Sequence, residues 1–134
     1  MTTIATRQQL SVVMLGSAAL LLVWIPMLGV VLPAGADNDR WWQCWDLLEL
    51  LALGVGGVLA LRRSSSAVFF AVAAATLLLI DACVDVGTAW VDGSQLWRAV
   101  AMAAVAELPL TVLCVDLARQ SAARYPAGRA LLAI

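Results

Sequence analysis

The chain has no histidine, no lysine and a single tyrosine, and only 13% of its 134 residues are charged. Each scarcity excludes a class of function. Without His there is no imidazole for zinc, haem or iron, and the Glu-x-x-His pattern of di-iron bundles is absent. All eight basic residues are Arg, and nine acids outnumber them for a net charge of -1, which leaves no basic surface for nucleic acid. Three cysteines, Cys44, Cys83 and Cys114, stand far apart with no C-x-x-C pair, so thiol redox chemistry is not expected. They read as small buried hydrophobes. No nucleophile elbow, Gly-rich loop or His base supports catalysis, and no catalytic residue is assigned.

What the chain has in quantity is apolar surface. Hydrophobic residues make up 63% of it and the mean hydropathy is +0.95, outside the range of a water-soluble domain. At roughly 20 apolar residues per crossing, the length allows about four spans with short connections, a single transmembrane domain over residues 1–134. Runs broken by Pro, Gly, Asp or Arg place the spans at 10–32, 43–61, 67–90 and 96–118. The connections 33–42, 62–66 and 91–95 are short enough to make sequential helices antiparallel neighbours. The fold class expected is an all-α membrane protein, an up-down four-helix transmembrane bundle.

Charge and tryptophan orient that bundle. Arg7, Arg62, Arg63, Arg119, Arg124 and Arg129 fall at one end, while Arg40 and Arg98 fall at the other beside Asp37, Asp39 and Asp92. The positive-inside rule puts both termini in the cytoplasm. Trp41, Trp42, Trp45, Trp90 and Trp97 gather at the opposite end as an outer aromatic belt. Arg7 before the first run, with Ala34-Gly35-Ala36 after it, also fits a cleaved signal, but the run is longer than a signal core. The tail 119–134 carries Arg124 and Arg129 between apolar residues and suits either an amphipathic segment on the inner lipid surface or a disordered end.

The unusual content is acid inside the spans. Span two opens with Trp45-Asp46-Leu47-Leu48-Glu49, span three carries Asp81-Ala82-Cys83-Val84-Asp85, and span four carries Glu107-Leu108-Pro109. The i,i+3 and i,i+4 spacings put each pair on one helix face. A rise of 1.5 Å per residue sets Asp46 and Asp85 roughly 5–8 Å below the outer boundary, Glu49 and Asp81 roughly 10–14 Å, and Glu107 near the midplane. The acidic faces also carry small or hydroxylated residues: Gly57 and Ala60 on span two, Ala67, Ala74 and Thr88 on span three, Ala103, Ala104 and Thr111 on span four. Small residues let helices approach, so these faces are expected to meet inside the bundle. The acid-free first span is then peripheral or faces a partner. Pro109 cannot donate to the Val105 carbonyl, which predicts a kink beside Glu107. Asp116, opposite Glu107 and three residues before Arg119, reads as half of an interfacial ion pair.

Five carboxyls in low dielectric cannot all carry charge without counter-ions, and the outer end offers only Arg40 and Arg98. Either several hold protons or a cation is bound. Asp46, Glu49, Asp81, Asp85 and Glu107 form the candidate cation site, with Trp45 and Trp90 as an aromatic lining suited to an organic ammonium. No cofactor is required; a hard metal ion would suit oxygen ligands.

The stretches Asp81-Ala82-Cys83-Val84-Asp85-Val86-Gly87-Thr88-Ala89-Trp90 and Glu107-Leu108-Pro109-Leu110-Thr111-Val112-Leu113-Cys114 resemble those of small four-span membrane proteins from high-GC actinobacteria. The resemblance implies the plasma membrane as the setting and carries no activity. Size and span number are also similar to the small multidrug-resistance transporters, but their essential first-helix glutamate has no counterpart here. The readings that follow are a protein that binds or transports a metal ion, proton or organic ammonium, and an accessory subunit whose acids meet the cations of a larger membrane partner. An enzyme acting on a lipid-soluble substrate is a third, less favoured. The lipid bilayer is the expected surrounding, with a homo-oligomer or a larger complex open.

Overall fold

A computed structural model describes residues 6–31, 36–93 and 96–124. Helix α1 runs Arg7–Val31, α2 Ala36–Leu61 and α3 Ala67–Asp92; the fourth span comprises α4 (Leu96–Met102), a π turn (Ala103–Glu107) and α5 (Leu108–Ala123). Four helical segments are long and apolar enough to cross a membrane, and they form the expected all-α four-helix bundle. Their ends differ from the hydropathy boundaries where polar residues are helical. Helix α2 starts at Ala36, ahead of the hydropathy boundary at residue 43. Span four extends to Ala123, so the first part of the segment expected as a tail is helix; residues 125–134 lie outside the described residues.

The turn from α2 to α3 is fixed by backbone hydrogen bonds. Ser64 N–H donates to Leu59 O at 2.9 Å and Arg63 N–H to Ala60 O at 3.1 Å, with Arg63 in the left-handed region at φ 56. These are the two bonds that close a helix C-terminus when the next residue turns left-handed. At the same end Arg7 is only 7% exposed, and its Nη2 donates to Ser64 O at 3.2 Å, tying the start of α1 to this turn.

Packing is uneven along the bundle. Towards the arginine-rich end the core is closed by Leu10, Met14, Ala60, Ala67, Ala71 and Leu117, all nearly inaccessible. Alanine at every third or fourth position of α3 brings backbones close where side-chain volume would hold them apart. Gly56 and Gly57 do the same for α2. A Cβ on Gly57 would stand 2.8 Å from Leu15 Cγ and 3.2 Å from the Ser11 carbonyl oxygen, and one on Gly56 would stand 3.1 Å from Phe70 Cβ. These glycines seat α2 between α1 and α3.

The first span is therefore not peripheral. Helix α1 packs most extensively against α2, α2 against α3, and α3 against all three pieces of span four. Helix α1 returns to span four chiefly through α5, and among the described residues it makes no comparable contact with α4 or the π turn. The ring of helices is thus closed towards the arginine-rich end and parted between α1 and span four towards the tryptophan-rich end.

Candidate functional site

A cavity of about 620 Å³ occupies the parted half, and all five predicted acids line it: Asp46 and Glu49 from α2, Asp81 and Asp85 from α3, and Glu107 from the π turn. The convergence inferred from helical spacing is realised. One carboxylate oxygen each from Asp81, Asp85 and Glu107 lies within 4.8 Å of the other two. Asp46 and Glu49 line the same cavity as that trio.

Two of these acids are nearly removed from solvent. Glu49 is 3% exposed and Glu107 8%, and Glu49 Oε1 and Glu107 Oε2 are buried with no hydrogen-bond partner. The Trp45 indole N–H approaches Glu49 without closing a hydrogen bond to it, and its nitrogen is likewise buried and unsatisfied. An orphaned buried acceptor costs about 1–3 kcal/mol, more if charged, so this arrangement is incomplete without protons, water or a ligand.

The π turn explains how Glu107 reaches the group. Leu108 N–H donates to Ala103 O, five residues back, and this wider turn stands immediately before Pro109. At the position where Pro109 predicts a kink, the helix carries an inserted residue. A π turn rotates what precedes it relative to a regular helix, and such turns recur at functional sites. That rotation accounts for a departure from the helical wheel: Ala103 is buried with Glu107, whereas Val100 and Ala104, placed on the same face by regular spacing, are exposed. Thr111 Oγ1 donates to the Glu107 carbonyl oxygen at 2.8 Å and anchors the turn from below.

Other expected partners are placed differently. The aromatic lining comes from Trp24 and Trp42, not from Trp45 and Trp90. Trp90 is nine residues from Asp81, half a revolution round α3, and is 73% exposed beside a separate shallow pocket. Trp45 precedes Asp46 by one residue, points about 100° away and packs on Trp41 with ring centroids 6.2 Å apart. The Arg98 guanidinium lies 5.4 Å over the Trp97 ring. Asp116 and Arg119 form no ion pair; Arg119 is exposed. Cys114 is fully buried, but Cys44 and Cys83 are exposed on the helix surface and do not act as core residues.

Helix α1 carries no acid, yet it contributes to the site. Ser17, Leu20, Trp24 and Met27 of α1 also line the cavity. The signal that would have found this contribution is the Gly56-Gly57 pair, whose missing side chains call for a helix in close contact. Searches of family models, curated proteins and solved structures find no match to the chain.

Proposed function

We propose that the chain is a plasma-membrane protein, with both termini cytoplasmic, that binds a cation at Asp46, Glu49, Asp81, Asp85 and Glu107 and releases protons as it does so. One observation carries this reading: Glu49 and Glu107 are each more than nine-tenths buried and each presents an unpartnered carboxylate oxygen to a cavity that three more acids share. Protons or a cation must balance such a group, and exchange of one for the other is the coupling that proton-linked transport requires. The setting is the one implied by the resemblance to actinobacterial four-span proteins, and the arginine distribution supports the orientation.

The test is the pH dependence of cation affinity for the purified protein in lipid nanodiscs. A cation that displaces one proton binds about tenfold more tightly per unit rise in pH while the site is protonated, because the proton competes with it. Affinity independent of pH, or no binding of metal ions and organic cations alike, would refute the site. Orientation is tested separately by labelling a Ser65→Cys variant, in a background without native cysteines, in intact cells. An impermeant maleimide should fail to reach it until the membrane is opened.

The parted helices favour a second reading, an accessory subunit whose open side is covered by a larger membrane partner that supplies the balancing cations. Such a subunit, purified alone, would bind no cation.

A further inference from the structure

The proposed cation site leaves the class of cation open, and the shape of the cavity narrows it. We infer, resting on that reading, that the ligand is an organic cation with an apolar body, admitted sideways between α1 and the outer half of span four.

Three observations point this way. The first is size and lining. At about 620 Å³ the cavity is many times the roughly 30 Å³ share of a water molecule and falls in the range typical of drug-sized ligands. Apart from the acids and Ser17, its walls are apolar, with Leu20, Met27, Leu53, Leu78 and Leu110 among them. A metal ion would fill a small fraction of this volume and leave the rest facing hydrocarbon. Mg²⁺ and Ca²⁺ take about six to eight oxygens, while the close grouping found among the described residues consists of three carboxyls, Asp81, Asp85 and Glu107.

The second observation is polarity along the cavity. The acids come from α2, α3 and the π turn, while α1 contributes no charge and brings Leu20, Val23, Trp24 and Met27. A ligand with charge at one end and hydrocarbon at the other matches that division. Trp24 and Trp42 add ring faces that attract a diffuse positive charge.

The third is access. Among the described residues helix α1 meets span four chiefly through α5, and the parted half is bordered by Leu20, Trp24, Met102 and Ala106, which line the cavity and are exposed on the bundle surface. In a bilayer that opening faces lipid, where amphiphilic cations concentrate and hydrated metal ions do not. A membrane-level entrance thus selects the same class of ligand as the walls do.

The experiment uses the full chain in nanodiscs, with empty nanodiscs subtracted for lipid partitioning. Methyltriphenylphosphonium, tetramethylammonium and Mn²⁺ are titrated separately, following proton release in weak buffer and tryptophan emission. Saturable proton release by methyltriphenylphosphonium is expected, at least about tenfold tighter than by tetramethylammonium, since the apolar body leaves water on binding. Glu49→Gln should weaken it about tenfold or more. If Mn²⁺ or tetramethylammonium releases protons and methyltriphenylphosphonium does not, the ligand class is wrong while the cation site stands. If none of the three releases protons, both the ligand class and the cation site are overturned.

Discussion

Glu107→Gln should remove the Glu107 share of cation-induced proton release and weaken cation binding by about ten- to a hundredfold while leaving the bundle folded. The substitution keeps the side-chain shape and removes one negative charge from a trio whose oxygens lie within 4.8 Å. A charge-assisted contact contributes about 1.5–3 kcal/mol, which corresponds to that range of affinity. Folding is spared because the bond that anchors the π turn runs from Thr111 Oγ1 to the main-chain carbonyl of residue 107, which the variant retains. Asp116→Asn is the matched control: it removes an acid from the same span outside the cavity and should leave binding unchanged. Equal losses in both variants would mean that net charge governs binding, with no role for a defined site. The comparison requires only the two purified proteins and one titration each.

Gly57→Leu is expected to be the most destabilising single change in the bundle outside the cavity. Already a Cβ at this position meets Leu15 Cγ at 2.8 Å and the Ser11 carbonyl oxygen at 3.2 Å. Leu15 can move its side chain; the Ser11 backbone cannot yield without shifting α1. Overpacking of this kind costs about 1–3 kcal/mol for modest insertions, and a full leucine between two helices stands at or above the top of that range. Since α1 supplies one wall of the cavity, the same change should reduce cation binding without touching an acid. Gly16→Leu provides the contrast, because nothing lies within 4 Å of a Cβ there and leucine is the better helix former. Thermal unfolding in detergent should show a large fall in midpoint for the first and none for the second. A Gly57→Leu protein as stable as the parent would contradict the close seating of α1 on α2.

Much of this architecture is written in local chemistry. Four apolar runs of spanning length, separated by Arg, Pro and Asp, leave a membrane bundle as the only compact outcome, and the spacing of Asp46 with Glu49 and Asp81 with Asp85 puts each pair on a buried-facing edge. What the sequence hid has two physical causes. Helix α1 has no acid and is apolar on nearly every side, so periodicity gives it no preferred face, and its place against Gly56 and Gly57 emerges only from the fit of surfaces. The π turn inserts a residue into span four, so a wheel drawn outward from Glu107 at regular spacing misplaces Val100 and Ala104. The tryptophans depart for a simpler reason: nearness in sequence to Asp85 does not put Trp90 on the same side of α3, and the Trp45 ring packs on Trp41 while Trp24 and Trp42 line the cavity.

The decisive property of the site is whether its buried carboxyls exchange protons for a cation. Infrared difference spectra of the parent protein, recorded with and without methyltriphenylphosphonium and compared with Glu107→Gln, address that directly. We predict a protonated-carboxyl band that disappears when the cation is added, with a carboxylate band rising in its place, and the Glu107 part of both missing from the variant. A carboxyl band unmoved by methyltriphenylphosphonium, Mn²⁺ and tetramethylammonium alike would contradict the account and leave the acids with a packing role alone.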